Sequence, residues 1–82
     1  MTRSDALAYY LSLTALQRAL VTQIDLLRGN LRIMIRLGAP AAARRIMANE
    51  IQRVLGVERD TRMEIRQVSE QMNFPLPPAL RD

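Results

Sequence analysis

Five arginines are the residues of this chain best placed to do chemistry: Arg28, Arg32, Arg36, Arg44 and Arg45. They fall within Leu26–Asn49, a stretch without a single Asp or Glu, whereas the rest of the chain has seven Arg against eight acids. The whole surplus behind the formal charge of +4 therefore gathers around Gly38-Ala39-Pro40. A guanidinium holds phosphate or carboxylate with two parallel hydrogen bonds and keeps its charge at any working pH. Arg28, Arg32 and Arg36 are spaced i, i+4, i+8, so a helix puts them on one face, where like charges repel by about 0.2–0.5 kcal/mol per pair. Arg36, in the last turn of that helix, suits the helix dipole; Arg44 and Arg45, in the first turns of the next, oppose it. Fold stability alone does not select such a placement. An anionic partner does: an acidic patch on a protein, or the backbone of a nucleic acid.

Other chemistries are excluded by composition. The chain has no histidine and no cysteine, and every cation is an arginine. Ser4, Ser12 and Ser69 thus have no base to activate them. Glu58, Asp60 and Glu64 alternate with Arg59, Arg62 and Arg66, the pattern of a solvated, ion-paired helix face. No inward pair of glutamates has the spacing of a di-iron bundle, and Gly29, Gly38 and Gly56 are too far apart to form a phosphate-cradling loop. The expectation is a non-enzyme with no catalytic residue, metal, cofactor or small-molecule substrate. The uncharged run Ala6–Gln17 is too short to span a bilayer, and no clear cleavage site follows it. A cytoplasmic protein is expected.

The elements that position the arginines are helices. Thr2, Ser4 and Asp5 are candidate N-caps. Behind them Tyr9, Leu13, Leu16, Leu20, Ile24, Leu27, Leu31 and Met34/Ile35 recur at steps of three and four, as one helix face requires. Gly38 is suited to stop this helix and Pro40 to start another, so the first helix runs from about residue 5 to 37. Gly29-Asn30 does not change the phase, and the helix is read as continuous there, with a possible bend. The second helix carries Ala43, Met47, Ile51, Val54, Thr61, Ile65, Val68 and Met72, and ends by Asn73 because Phe74-Pro75-Leu76-Pro77-Pro78 cannot continue it. Glu58 fills the gap in this row: either the helix breaks around 56–60 with Asp60 recapping it, or Glu58 finds an arginine.

The fold class is accordingly all-α: an antiparallel helical hairpin over 1–73, turning at Gly38–Pro40, with a short Pro-rich extended tail over 74–82. With Gly38 at the tip, residues whose numbers sum to about 78 face each other, which sets Glu58 near Leu20 and Arg18, and Glu50 near Arg28. The tail contains a Pro75–Pro78 PxxP followed by Arg81, read as ordinary chain-end packing.

The first helix has more apolar surface than one partner covers. Ala8, Ala15, Ala19, Leu26, Ile33 and Leu37 form a second strip, about 140° or more from the first. Left in water it would be a patch that soluble monomers rarely show. The expected covering is a second copy, most simply in a dimeric four-helix bundle, with Ala15, Ala19, Leu26, Ile33 and Leu37 at the interface and Tyr9 and Tyr10 near its open end. The alternative is that the Phe74–Leu80 tail folds back over the strip.

The leading expectation is an oligomeric adaptor whose arginine tip docks an acidic macromolecular surface. The alternatives are a non-specific DNA- or RNA-binding protein and, least favoured, a peripheral protein lying on anionic lipid. A helix-turn-helix with Gly38 in its turn places Leu37 and Met47 well, but puts Arg44 where the recognition helix is buried. In architecture alone, a self-associating hairpin with a basic end resembles the oligomerisation regions of phage small terminases and the dimeric RNA-binding hairpins of plasmid copy control; no motif is shared.

Overall fold

The computed structural model describes residues 2–81; Met1 and Asp82, the outer ends of the hairpin and tail segments, lie outside the described residues. Two helices, α1 (Arg3–Arg36) and α2 (Ala41–Met72), lie side by side as an antiparallel hairpin, followed by one 3₁₀ turn at Pro78–Leu80. The particle measures 52 × 22 × 18 Å.

Local sequence accounts for each end. Thr2 and Asp5 form a capping box: the Asp5 amide donates to Thr2 Oγ1 (3.1 Å) and the Thr2 amide to Asp5 Oδ2 (3.3 Å). Two otherwise orphaned donors are thereby satisfied. At the other end Gly38 takes φ +73°. Its amide donates to the Ile35 carbonyl (3.1 Å) and that of Ala39 to Met34 (2.9 Å). This is a Schellman closure, which needs a left-handed residue at that position. Asn73, at φ 55°, ends α2, and the Phe74 amide donates to the Ser69 carbonyl (3.0 Å). Asn tolerates this conformation better than most residues.

The helices pack along rows with alternating steps of four and three. In α1 the inner row is Ala6, Tyr10, Leu13, Gln17, Leu20, Ile24, Leu27, Leu31 and Met34; in α2 it is Met47, Ile51, Val54, Glu58, Thr61, Ile65, Val68 and Met72. Such a 3.5-residue repeat is that of a coiled coil. Neither Gly29-Asn30 nor Gly56 breaks its helix. The seam passes through both without a phase change, and burying it offsets the roughly 1 kcal/mol that an interior glycine costs.

Three expectations need correction. Tyr9 and Leu16 are 39% and 46% exposed, and Tyr10 and Gln17 take their inner places. The 3.5-residue seam, followed back from Ile24 and Leu20, arrives at Gln17, Leu13, Tyr10 and Ala6, whereas a 3.6-residue period leads to Leu16 and Tyr9. Second, the register is one turn away from expectation: Arg3–Met72 and Gln17–Glu58, both in contact, have numbers that sum to 75. Interdigitating layers, and not the position of the glycine, set the pairing. Glu58 therefore meets Gln17 and Arg62, and Glu50 bonds Arg53 (Arg53 Nε to Glu50 Oε2, 3.0 Å) instead of Arg28.

Third, the tail does not run extended throughout; it packs at the chain end, as expected, and not over the second strip of α1, the alternative. It folds back on the open end, where Phe74, Leu76 and Leu80 pack with Tyr10, Leu13, Ile65, Val68 and Met72. The Tyr10 hydroxyl donates to the Pro75 carbonyl and the Ser69 hydroxyl to that of Phe74. Arg3 lies 5.0 Å above the Phe74 ring and donates to the Met72 carbonyl (3.0 Å). Leu80 is left only 4% exposed. Tyr10 thus belongs to the core of the hairpin, and burial pushes its phenol above the ordinary tyrosine range.

Candidate anion-binding tip and the apolar face opposite it

The coiled-coil rows decide which side each remaining residue takes. On α1, the row flanking the seam on one side is Tyr9, Ser12, Leu16, Ala19, Gln23, Leu26, Asn30, Ile33 and Leu37. All nine are exposed and none is charged. At 1.5 Å per residue the row runs for about 42 Å. The charges of α1 beyond Leu16, namely Arg18, Asp25, Arg28, Arg32 and Arg36, all fall outside it. Ala19, Leu26, Ile33 and Leu37 of the expected strip lie on this row. Ala8 and Ala15 lie one row further round the helix, also exposed.

In an antiparallel pair the same flank of both helices faces the same way. The bond from the Tyr9 hydroxyl to Glu64 Oε1 (3.1 Å) marks this flank, and that bond raises the Tyr9 phenol above its usual range. Toward the tip the flank opens into a groove of about 420 Å³ lined by Leu27, Met34, Ala43, Ile46, Met47 and Glu50. Ile46 (71% exposed), Leu37 (78%) and Leu26 (65%) surround it. The only acid there, Glu50, is engaged by Arg53 at 2.5 Å, and that hydrogen bond holds its carboxyl below the ordinary range.

The opposite flank carries the arginines. Arg28, Arg32 and Arg45 project from it, Arg36 from the adjoining outer row, and Arg44 from the tip end of the seam, where α2 begins. All five are exposed, and among the described residues none of them makes an ion pair or side-chain hydrogen bond. Arg28 also borders a smaller cleft, about 270 Å³, shared with Asp25, Glu58 and Arg62. Ile35 is exposed on this flank as well. The first turn of α2 holds no acid, and its amides add their partial positive charge to the arginines. Small neighbours, Gly29, Ala39, Ala41 and Ala42, leave the guanidinium groups unshielded. Nearer the open end this flank is closed by the tail: Ser69 lies on it and is 7% exposed under Phe74.

Glu58 finds the arginine that was one of its two expected outcomes, and with it a buried partner, Gln17, that the apolar periodicity does not indicate. Midway along the seam Gln17 Nε2 donates to Glu58 Oε1 (3.4 Å), and Arg62 Nε donates to Glu58 Oε2 (2.7 Å). Both Gln17 and Glu58 are buried, between an apolar cluster of Leu20, Ile24 and Val54 on one side and that of Tyr10 and Ile65 on the other. A buried polar layer of this kind fixes register at some cost in stability. The strict 3.5 repeat through Leu13 and Leu20 was the signal that pointed to Gln17.

Among the described residues no group of three or more His, Cys, Asp or Glu could hold a metal ion, and no helix is long and apolar enough to cross a membrane. No protein-family model, no curated protein and no solved structure matches this chain.

Proposed function

We propose that this protein is a non-enzymatic, self-associating helical adaptor of the cytoplasm. The uncharged row of α1 joins it to a second copy, and its arginine flank docks an acidic macromolecular surface, foremost an acidic patch on a protein. One observation carries the reading: over the tip half the two long sides of the hairpin are chemically opposite, one apolar with its Glu50 and Arg53 paired to each other, the other holding Arg28, Arg32 and Arg45, with Arg36 and Arg44 beside them, none in an ion pair. Neither side is accounted for by the fold. The core is complete without them, and the apolar flank, if solvated, would be an exposed patch of the kind that marks interaction sites.

A second reading has its own support. Arg28, Arg32 and Arg36 repeat every four residues, about 6 Å along the helix, which suits successive phosphates of a nucleic-acid strand. With no aromatic side chain at the tip to stack on bases, such binding would be to the backbone and salt-sensitive. Two measurements separate the readings. Light scattering at low micromolar concentration should return at least twice the 9.4 kDa of one chain; a monomer overturns the self-association. Fluorescence anisotropy then compares labelled polyglutamate with a labelled mixed-sequence DNA duplex. Saturable polyglutamate binding that is lost in Arg44→Glu/Arg45→Glu supports the protein-docking reading. Preferential duplex binding with a steep salt slope transfers the function to nucleic acid, and binding of neither probe removes the arginine flank as a docking site.

A further inference from the structure

We infer that the second copy packs end for end, α1 against α1 about Gln23, so that the assembled rod carries an arginine flank at each end. This rests on the self-association proposed above and adds its geometry. The uncharged row of α1 is lopsided in size. Its half toward the open end is small at Ser12 and Ala19, which alternate with the larger Tyr9 and Leu16; its half toward the tip is large at Leu26, Ile33 and Leu37, interrupted by Asn30. With the two copies pointing the same way, each residue opposes its own counterpart. Small then meets small and leaves a gap, while large meets large and wedges the helices apart. Turned end for end, Leu26 opposes Ala19 of the second copy and Ile33 opposes its Ser12. Alternating large and small residues across an interface is how close packing is reached at a constant helix separation. The groove at the tip then faces Leu16 of the second copy, which its own chain leaves 46% exposed. Gln23 opposes Gln23, and their amides can pair across the two-fold axis as an Asn pair does in a coiled coil.

Charge selects the same arrangement. Copies pointing the same way bring ten tip arginines to one end. End for end, the centres of the two clusters are separated by about 25 Å along the rod, about three times the Debye length of about 8 Å at physiological salt.

The chain has no cysteine, so single labels can be placed without a background. Ser4 and Ala42 are exposed and lie off the uncharged row. Nitroxides on Ser4→Cys and on Ala42→Cys, read by double electron–electron resonance, test the arrangement. Ser4–Ser4 distances should exceed about 50 Å, and an equimolar mixture of the two labelled chains should give a Ser4–Ala42 distance under about 30 Å, both from the helical rise of 1.5 Å per residue. Leu26→Arg in either labelled chain should abolish the coupling. Short Ser4–Ser4 distances with a long mixed distance overturn the end-for-end packing while leaving self-association intact. Coupling that survives Leu26→Arg places the interface elsewhere and also overturns it. No coupling together with a 9.4 kDa mass brings down the self-association itself.

Discussion

The open end and the tip of the hairpin are built on opposite principles. At the open end α1 starts on a capping box, the tail folds over the seam, and Tyr10, Ile65, Val68 and Leu80 form a closed cluster. Arginine is used there structurally: Arg3 covers Phe74, and Arg81 donates to the Leu76 carbonyl (3.0 Å). At the tip the closure is made by the backbone alone, around Gly38. Apolar side chains stand in solvent, and among the described residues no acid forms an ion pair with the five arginines. The two ends draw on the same residue types, so composition does not explain the difference. Stability is concentrated where the chain ends meet, and the tip is left with surface that only a partner can satisfy.

The sharpest way to break this contrast is to truncate one apolar side chain at each end. Ile65→Ala at the open end, where the side chain is 0% exposed, should cost about 2–5 kcal/mol. Leu37→Ala at the tip, 78% exposed, should stay within about 0.5 kcal/mol when the chain is dilute enough to be monomeric. Urea denaturation followed by circular dichroism measures both. Equal losses would mean that the tip is as tightly built as the open end.

The glycines sharpen the contrast by sign. Gly38 sits at φ +73°, where an alanine is strained although no atom stands in its way. Gly38→Ala should therefore destabilise by about 1–2 kcal/mol. Gly56 is helical and its Cβ would also meet nothing within 4 Å, so Gly56→Ala should stabilise by about 0.5–1 kcal/mol. Thermal melts of the two variants should shift in opposite directions. A loss at Gly56 would show that this position is reserved for close approach of another chain.

The hairpin itself was legible because its signals are local and agree: a left-handed residue at Gly38, Pro40 behind it, and rows of Leu, Ile and Val at helical spacing. The charge-free strip was legible for the same reason, since it runs along one helix. Register was not, because it depends on contacts some 40–70 residues apart, such as Gln17 with Glu58 and Arg3 with Met72. The choice between Leu16 and Gln17 for the seam turned on a tenth of a residue per turn, which apolarity decided wrongly and the supercoil decides correctly. That the arginines and the apolar strip occupy opposite flanks needed both helices in place. α1 alone shows two strips, but only the pairing with α2 assigns Arg45 to one flank and Ile46 to the other.

The smallest expected effect bears most directly on what the tip is for. Arg44 lies in the first turn of α2, where unpaired amides leave a partial positive charge and a cation is disfavoured. No acid in that turn compensates it. Arg44→Glu reverses the sign of this interaction, and should stabilise the chain by about 0.3–1 kcal/mol at low ionic strength. For a chain of this size that is a rise of roughly 1–8 °C in the melting midpoint, shrinking toward zero in 1 M NaCl as the exposed charge is screened. A residue whose replacement improves the fold is retained for some other reason, so a higher midpoint combined with lost polyglutamate binding places Arg44 among residues kept for a partner. A lower midpoint would mean that Arg44 holds the tip together, and the division between a structural end and a binding end would fail at its clearest position.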